Sequence, residues 1–407
     1  MQYEFKIDLK QDEFDGFVKN HEYCNLLQSY NWAKVKSNWE HLYTGVYKDG
    51  ILVAAGLVLI KRLPLTFCMY YLPRGPIMDY KDKELVQYYF EQLKKVAKKD
   101  HCIFIKFDPA IHVNDYDSKS YNTDRYEDTN TYLDIFKSCK AKHHGYTMSI
   151  ADTVQPRFQS NVYACENVED ALPKHTKRLI KDANRRNVQI IHGQTELLDE
   201  FSRLVELTES RKGVALRDKS YFKTLLDNYP DGGVIFLANC NVYQLDKEAK
   251  EKKVQLEKDM AATPENAKKK LHRLEDQLRS VNKDINEYKE IFDEFGQEDR
   301  DIAIAGILSI QFGNTCEMLY AGMDERFKKF MPQYKEYVEN FKWAFERGCL
   351  WSNMGGVEGT LDDGLTKFKD NFNPTINEMI GEFDIPVYPF MYRLTQKAYE
   401  ILKSKHK

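Results

Sequence analysis

The sequence predicts an α/β (α+β) fold of two tandem units, with an antiparallel helical coiled-coil hairpin inserted in the second. Short β-prone apolar runs alternate with amphipathic helical segments, one order of elements occurs twice, and one charge-rich segment without glycine interrupts the second copy. The 407 residues are enough for two cores of ordinary size.

The first copy begins with a predicted β-hairpin. In HLYTGVYKDGILVAAGLVLIKRLP two apolar runs flank Asp49 and Gly50, a pair typical of tight turns. A third strand follows in FCMYYLPRGPI, then an amphipathic helix over 83–100 and a fourth strand in HCIFIKFDP. This order indicates an open sheet with a helix on one face.

The second copy repeats this order. DIAIAGILSIQFGNTCEMLYAGMDE predicts two strands around Gly313, followed by a helix over 331–348 and a strand in CLWSNMGG. AAGLVLI and IAGILSI match, as do the strand ends YYLPRG and LYAGMD. We expect a first domain of residues 1–150 plus 384–407 and a second domain of residues 151–244 plus 294–383.

Residues 245–293 predict the inserted arm. Apolar residues from Leu271 to Phe292 recur three and four positions apart, the pattern of an a/d seam. AATPEN interrupts this pattern, and Thr263 before Pro264 is a candidate N-cap for the second helix. The arm is either a spacer or dimer contact, or a support for a macromolecular partner.

Composition excludes several classes of protein. A net charge of -3 restricts any nucleic-acid contact to a local basic patch. The eight scattered cysteines form no C-x-x-C pair, which indicates reduced thiols in a cytoplasmic protein. The N-terminus lacks the apolar core of a signal peptide, and the longest apolar run, residues 51–60, is too short to cross a bilayer. Membrane contact, if present, is expected to be peripheral.

Familiar catalytic signatures are missing from the sequence. It contains no G-x-x-x-x-G-K-[ST] loop, no G-x-S-x-G elbow and no H-x-x-x-H or E-x-x-H unit. If the protein is an enzyme, we therefore expect it to act by positioning two substrates rather than through a metal or cofactor.

One helical segment carries a basic stripe. In LPKHTKRLIKDANRRNV the cations recur at steps of four and three residues, which places them on one helix face: Lys174, Arg178, Lys181 and Arg185. A solvated helix surface is the simpler interpretation. A phosphate-bearing partner is the functional one.

Two further cations occur beside aromatic residues. Arg217 precedes Tyr221 by four residues at a predicted helix start, a position suited to phosphate. Lys36 lies between Trp32 and Trp39 in a predicted helix. The alternatives are a surface ion pair for Arg217 and a core helix with Lys36 at its edge.

Three other stretches are candidate parts of a site. Asp108 ends a strand before Pro109, where a carboxylate is expected to face a cleft. Residues 355–386 are rich in Gly and Asp and contain Lys369, which predicts a ligand cover. YYLPRGPIMDY predicts a stiffened cavity wall, with a phosphate contact for Arg74 left open.

Several long motifs, in one order, resemble the Fem family (FemABX) of peptidoglycan-branching aminoacyltransferases, and their wording is closest to the MurM/MurN type. They are LQSYNWAKVKSNW, YYLPRGPIMDY, IKFDP, RKGVALRDKSYF, LYAGMDE and GLTKFKDNFNPTINEMIGEFD. The similarity extends essentially from end to end. The arm fits those members that carry a coiled-coil hairpin.

The resemblance implies two GNAT-like domains and transfer of Ala, Ser or Gly from aminoacyl-tRNA to a stem-peptide amine of a peptidoglycan precursor. The acceptor is lipid II or soluble UDP-MurNAc-pentapeptide. The expected protein is cytoplasmic or peripheral to the membrane, alone, as a homo-oligomer or with related Fem proteins. Alternatives are a Fem-like immunity factor and a non-catalytic precursor-binding protein. A GNAT enzyme that uses acyl-CoA is disfavoured, because the sequence lacks the Q/R-x-x-G-x-G/A loop.

The resemblance also implies roles for single residues. Lys36 and Arg217 are expected to contact precursor phosphates. Lys369 is expected to stabilise the reacting carbonyl or to hold the tRNA 3′ end. Asp108 is a candidate general base, with deprotonation by the tRNA itself left open. The remaining expected cavity residues are Tyr221, Tyr320 and, with weaker support from the motif, Glu382.

Overall fold

The computed structural model describes residues 2–212 and 217–405 and contains two β-sheets with helices packed on them. The strands are β1 Tyr3–Ile7, β2 Glu40–Lys48, β3 Ile51–Arg62, β4 Cys68–Leu72, β5 Ile77–Met78, β6 Cys102–Phe107, β7 His112–Tyr116, β8 Lys142–His143, β9 Phe158–Tyr163, β10 Gln189–Gly193, β11 Gly233–Cys240, β12 Ile302–Phe312, β13 Thr315–Met323, β14 Trp351–Val357, β15 Thr375–Met379 and β16 Phe383–Pro386. The helices are α1 Gln11–Lys19, α2 Trp32–Val35, α3 Lys83–Lys99, α4 Thr129–Ser138, α5 Val168–Ala171, α6 Lys174–Arg185, α7 Leu198–Lys212, α8 Lys219–Asn228, α9 Val242–Ala261, α10 Lys268–Phe295, α11 Pro332–Glu346, α12 Gly364–Lys369 and α13 Pro389–Lys405.

The first five strands of the two sheets follow the same order, as the repeat predicts. The first runs β1-β2-β3-β4-β6-β16-β8, with β5 beside β3, and the second runs β10-β11-β12-β13-β14-β9-β15-β7. Each contains one parallel pair among antiparallel neighbours, β4 with β6 and β13 with β14. A helix links each parallel pair, α3 in the first unit and α11 in the second. The predicted α/β fold of two tandem units is therefore confirmed.

Strands β7 and β16 each lie in a different sheet from the strand that precedes them in the chain. Within residues 1–150, β7 joins the second sheet, where Tyr116 pairs with Ile376 of β15. β16 joins the first sheet, where Phe383 pairs with Phe107 of β6. The position of β7 in the second sheet departs from the predicted domain boundary at residue 150. The sequence could not predict this, because pairing between strands far apart in the chain leaves no local pattern. The other domain boundaries stay a prediction.

The hydrophobic core continues between the two units. One buried cluster contains Leu26, Trp32 and Leu57 from the first unit together with Phe201 and Phe222 from the second. Burial of aromatic and aliphatic side chains is the main favourable contribution to such an interface. The units therefore meet over an apolar surface, and side chains around its rim have fixed neighbours from both units.

Helices α9 and α10 form the predicted antiparallel hairpin. Leu256, Leu274 and Val281 are buried between them, while Leu245 and Tyr288 anchor its base on the second unit. The predicted helix start at residue 263 is wrong. The Thr263 hydroxyl donates to the Asp259 carbonyl at 2.6 Å, so this residue closes α9, and α10 begins only at Lys268.

Packing explains the glycine in LYAGMDE, at the end of β13, and this explanation can be tested. A Cβ on Gly322 would lie 2.5 Å from the backbone carbon of Leu204, a group that cannot move aside easily. Gly322→Ala is expected to lower the free energy of unfolding by about 1–3 kcal/mol, as overpacked sites do. Thermal unfolding followed by circular dichroism measures this.

Gly16→Ala is the matched control. Gly16 lies inside α1, and a Cβ there meets nothing within 4 Å. The alanine is expected to stabilise the helix by about 0.5–1 kcal/mol, because glycine loses more backbone freedom on folding. An unchanged melting temperature for Gly322→Ala would contradict the packing argument.

Candidate active site

Four of the predicted substrate-binding residues come together where the two units meet. We call them the Lys36 cluster: Lys36, Arg217, Tyr221 and Tyr320. Lys36 directly follows α2, Tyr221 lies in the first turn of α8, and Tyr320 lies on β13. Part of the motif around Arg217, residues 213–216, lies outside the described residues. The rest of that motif starts α8 as predicted, with the Asp218 carboxylate accepting the Tyr221 backbone N–H at 2.9 Å.

The aromatic rings of the Lys36 cluster hold its two cations. Lys36 Nζ lies 3.4 Å from the Tyr221 hydroxyl and 5.0 Å from the Trp32 ring centroid. The Arg217 guanidinium lies 5.0 Å from the Tyr221 ring. The Tyr221 and Tyr320 rings meet edge to face at 6.0 Å. Cation–π contacts of this kind position a charge while leaving its donors available.

The charges of the cluster are not neutralised within the described part of the chain. There, neither Lys36 nor Arg217 forms an ion pair with a carboxylate. Burial lowers the pKa of Lys36, and the charge of Arg217 lowers it further. Burial also raises the pKa of Tyr221, with the neighbouring Tyr320 adding to the effect. Two close cations without a counter-ion suit a phosphate or pyrophosphate group.

The turn PRGP, residues 73–76, which we call the lip, is held in place by hydrogen bonds to a buried glutamine. Gln28 donates its amide to the Pro73 carbonyl at 2.7 Å and accepts the Leu57 N–H at 2.8 Å. A Cβ on Gly75 would lie 2.4 Å from the Gln28 Cδ atom, so only glycine fits there. The predicted stiffened wall agrees with this geometry. The open option of a phosphate contact does not, because Arg74 is 2% exposed and donates to the Pro156 carbonyl at 2.5 Å.

Asp108 lies under this lip rather than facing an open cleft. It is 1% exposed, accepts the Arg74 N–H at 2.8 Å and accepts the Tyr71 hydroxyl at 3.0 Å. Burial raises the pKa of Asp108 to about 7, against the opposing charge of Arg74 and together with the like charge of Glu382. The expectation of a cleft-facing carboxylate is corrected because the lip folds over the strand end.

Glu317 is a site residue that the sequence reasoning missed. It lies on β13 opposite Asn353, the last parallel pair before β13 and β14 separate. Burial raises the pKa of Glu317 to about 7, and Arg74 again opposes the shift. The charge of Arg74 thus acts on two carboxyl groups, Asp108 and Glu317, from different units. The signal was available, because one acidic residue interrupts the otherwise apolar stretch TCEMLYAGM.

Glu382 belongs to the same buried region but is already held by protein groups. It accepts the Val154 N–H and pairs with Lys106 at 3.1 Å. Lys106 also pairs with Asp384 at 3.0 Å. Glu382 therefore lies apart from the Lys36 cluster, and its charge reaches the site through Asp108.

Lys369 lies where β13 and β14 separate. It ends α12, a short helix capped by the Asp363 carboxylate, and its side chain is 4% exposed. Its ammonium donates to the Gly356 carbonyl of β14 at 2.8 Å. Gly355 has φ of 87°, and a Cβ there would lie 3.7 Å from Lys369 Nζ. That distance is an ordinary contact, so the positive φ is what favours glycine at position 355.

The predicted cover over residues 355–386 is only partly a loop. Within it β15 pairs with β9 and β7, and β16 pairs with β6 and β8. α12 and the turns around it are the part that lies over the sheet beside β14. The Gly-rich and Asp-rich composition suggested a loop. Short strands inside a sheet can nevertheless contain polar residues when neighbouring groups form hydrogen bonds with their side chains.

The basic stripe occupies one exposed face of α6, as predicted. Thr176, Leu179 and Ala183 form its buried face. Arg178 contacts His175 at 3.1 Å. The Thr176 hydroxyl donates to the Asn371 carbonyl, in the turn that follows Lys369. The exposed or half-buried cations are Lys174, Arg178, Lys181 and Arg185.

Two kinds of feature are absent from residues 2–212 and 217–405. No three His, Cys, Asp or Glu side chains in these ranges lie close enough together to hold a metal ion. Likewise, none of the helices in these ranges combines the length and apolar character needed to span a bilayer.

Comparisons with known proteins agree with this architecture. The chain is 27% identical to a lipid II:glycine glycyltransferase of Staphylococcus haemolyticus, over 97% of this chain and 95% of that protein. It is 26% identical to the Staphylococcus aureus (strain USA300) protein of the same name, with the same coverage. A crystal structure of FemX matches 97% of this chain and 99% of its own, with a TM-score of 0.76 at 23% identity, which shows a shared fold.

The fold of two tandem units with an inserted helical hairpin is therefore shared with a solved relative, while the GNAT-like character of the units stays a prediction. A model of the FemAB family matches residues 9–400, nearly the whole chain. The motifs that suggested this family all lie within that range. The chain belongs to the FemAB family.

Proposed function

We propose that this protein is a tRNA-dependent aminoacyltransferase that builds the interpeptide bridge of peptidoglycan. It transfers Gly, Ala or Ser from aminoacyl-tRNA to the stem-peptide lysine amine of a precursor, or to the branch already on it. The named activity of the relatives, lipid II:glycine glycyltransferase, favours lipid II as acceptor and glycine as the first amino acid to test. The observation that carries the proposal is the pair of cations on the Tyr221 ring, Lys36 and Arg217, which form no ion pair with a carboxylate of residues 2–212 and 217–405.

The acceptor is proposed to bind by its pyrophosphate at Lys36 and Arg217. Both cations lie on the Tyr221 ring, and neither is paired with a carboxylate of the described residues. Tyr221 and Tyr320 supply a wall with hydroxyl groups for the sugar or peptide. A pyrophosphate is common to lipid II and UDP-MurNAc-pentapeptide, so this contact fits either acceptor.

The chemical step needs one proton acceptor and one group that stabilises an oxyanion. The acceptor nitrogen attacks the ester carbonyl, a C–N bond forms, the C–O bond to the ribose breaks, and a proton passes from the amine to the ribose oxygen. Asp108 is the proposed intermediate proton acceptor, since its pKa of about 7 matches that task. Lys369 is the proposed oxyanion partner.

Tyr71 connects the buried Asp108 to the cleft in this proposal. Its hydroxyl donates to Asp108 at 3.0 Å, and its ring lies 6.5 Å from that of Trp39. The Trp39 backbone N–H in turn donates to the Lys36 carbonyl at 2.8 Å. A hydroxyl in this position can pass a proton without exposing the carboxylate to water.

The direct test is transfer by the purified protein. It is incubated with a mixed pool of charged tRNAs and either lipid II or UDP-MurNAc-pentapeptide, and the mass of the product names both the amino acid and the acceptor. A mass increment with one combination supports the proposal. Precursor binding without any increment would replace it with a non-catalytic binding protein. If the modified bridge protects cell walls from a wall-lytic enzyme made by the same organism, the protein is an immunity factor.

The basic face of α6 gives a prediction about the donor. Lys174→Ala/Lys181→Ala is expected to raise the KM for aminoacyl-tRNA and to reduce the salt slope of its binding by about two, one for each lysine that neutralises a phosphate. Neither lysine forms an ion pair within the described residues, so the fold should not change. Filter binding at several salt concentrations measures the slope.

Lys98→Ala/Lys99→Ala is the control for this experiment, because both residues are exposed lysines at the end of α3 in the other unit. This variant should behave like the wild type. Equal slopes for the α6 variant and the wild type would leave the stripe as a solvated surface.

A further inference from the structure

Three large apolar side chains are exposed at one edge of the first unit. Leu65 is 83% exposed, Phe390 is 72% exposed and Leu394 is 47% exposed. Leu65 is at the tip of the turn between β3 and β4, and the other two lie on α13. Single exposed apolar residues are common, but a group of them needs an explanation.

The fold brings the two segments together. Leu63 and Phe67, on either side of the tip, pack in one small cluster with Met391 and Tyr392 of α13. The loop is closed by the Leu63 N–H, which donates to the Phe67 carbonyl at 2.8 Å. Leu65 has φ of 60°, a conformation that L-residues rarely adopt, so the loop points its side chain outward at a cost in backbone energy.

The same surface is cationic. Phe390, Arg393, Leu394 and Lys397 are spaced by three, one and three residues, so they form one stripe of α13. Lys61 lies at the end of β3, beside the loop. In the part of the chain that the structure describes, Lys61, Arg393 and Lys397 form no ion pair. The carboxylates of Glu40 and Asp100, near the end of β3, are both bound by Arg62.

We call these six residues the Leu65–Phe390 surface: Lys61, Leu65, Phe390, Arg393, Leu394 and Lys397. This surface extends as far as Trp39, which follows Lys36 by three residues in the chain. Lys61 Nζ lies 5.7 Å from the Trp39 ring, which is 6.5 Å from the Tyr71 ring beside Asp108. The Lys61 end of the surface therefore lies on the side of the first unit that carries Trp39.

We propose that the Leu65–Phe390 surface docks the protein on a lipid bilayer that carries anionic headgroups. Exposed Leu and Phe side chains enter the interface, and the surrounding Lys and Arg side chains pair with the headgroups. Both parts are needed, because either alone gives weak and reversible binding. In the docked state Lys61 and the neighbouring Trp39 lie at the level of the headgroups, where a lipid-anchored acceptor presents its pyrophosphate. This last step rests on the proposed function, whereas the docking itself does not.

The test is flotation of the full chain with vesicles. The wild type is expected to bind vesicles of phosphatidylcholine mixed with phosphatidylglycerol, and to bind pure phosphatidylcholine much less. Added salt should weaken the binding, because it screens the headgroup charges. Leu65→Glu/Phe390→Glu is expected to lower the partition coefficient by about tenfold or more. Arg393→Gln/Lys397→Gln should reduce binding to the anionic vesicles alone.

Ile51→Glu/Val254→Glu is the matched control. Ile51 is 71% exposed at the opposite end of β3, and Val254 is exposed on α9, so this variant adds the same charge at apolar positions elsewhere. It should bind vesicles like the wild type. Circular dichroism confirms that each variant is folded.

Three results would overturn the proposal. They are failure of the wild type to bind anionic vesicles, equal binding by Leu65→Glu/Phe390→Glu, and an equal loss in the control variant. If the wild type self-associates without binding vesicles, and Leu65→Glu/Phe390→Glu abolishes this, the surface is a protein interface instead.

A transfer assay separates this proposal from the proposed function. Leu65→Glu/Phe390→Glu should lose transfer to lipid II in vesicles and keep transfer to UDP-MurNAc-pentapeptide, if both are acceptors. Absence of transfer by the wild type in every arm rejects the enzyme, while the flotation result still decides the docking.

Discussion

Lys369→Met is expected to reduce the rate of aminoacyl transfer by about 10²–10³-fold, the usual cost of losing one group that stabilises an oxyanion. Methionine keeps most of the bulk of the buried side chain and removes only the ammonium. The affinity for the precursor should stay nearly unchanged, because Lys369 donates to β14 whereas the pyrophosphate is proposed to bind at the Lys36 cluster. Single-turnover transfer and equilibrium binding measure the two effects separately.

Lys367→Met is the control, since Lys367 is exposed on the same short helix. It tests whether removing any lysine of α12 has the same effect. Wild-type turnover in Lys369→Met would reject the proposed role. An equal loss of precursor affinity in that variant would instead indicate that Lys369 supports the shape of the cleft.

Asp108→Asn is expected to lower kcat/KM by about 10²–10⁴-fold, the range for a lost general base. In the wild type, kcat/KM should be low in acid and rise with pH through about 7, as the buried carboxyl group loses its proton. The variant should lose this rise, because the amide does not titrate. A pH profile of both proteins at saturating aminoacyl-tRNA measures the difference.

Glu317→Gln separates the two carboxyl groups. The charge of Arg74 acts on both Asp108 and Glu317, where it opposes the rise in pKa that burial causes. With Glu317 neutral, Arg74 interacts with Asp108 alone, and the rise of kcat/KM should move to lower pH. A profile identical to the wild type would show that the two groups titrate independently.

The same pair makes a prediction about stability. The pKa of each carboxyl is raised by burial from an ordinary value near 4 to about 7 in the folded protein. Between these values the folded state holds protons that the unfolded state has released, so the free energy of unfolding falls as pH rises. Asp108→Asn should therefore increase the melting temperature more at pH 8 than at pH 5. The opposite trend would contradict the burial argument.

The sequence was sufficient for features that are local in the chain. The repeated order of strands and helices, the turn at Asp49 and Gly50, and the hairpin of α9 and α10 follow from periodicity and turn chemistry. Lys36, Arg217, Tyr221 and Tyr320 were named from motifs, and the structure brings them together. Their roles in catalysis stay predictions until the variants are measured.

Only the tertiary structure decided which distant residues meet. The sequence predicts a stiffened wall around Arg74 and leaves a phosphate contact open, yet Arg74 is buried, and its charge acts on Asp108 of one unit and Glu317 of the other. The exchange of β7 into the second sheet and the packing of the Leu63–Phe67 turn against α13 are of the same kind. Hydrophobic periodicity reports which face of an element is buried, but not which element covers it. That choice depends on packing between segments far apart in the chain, and the shifted pKa values of the site depend on it in turn.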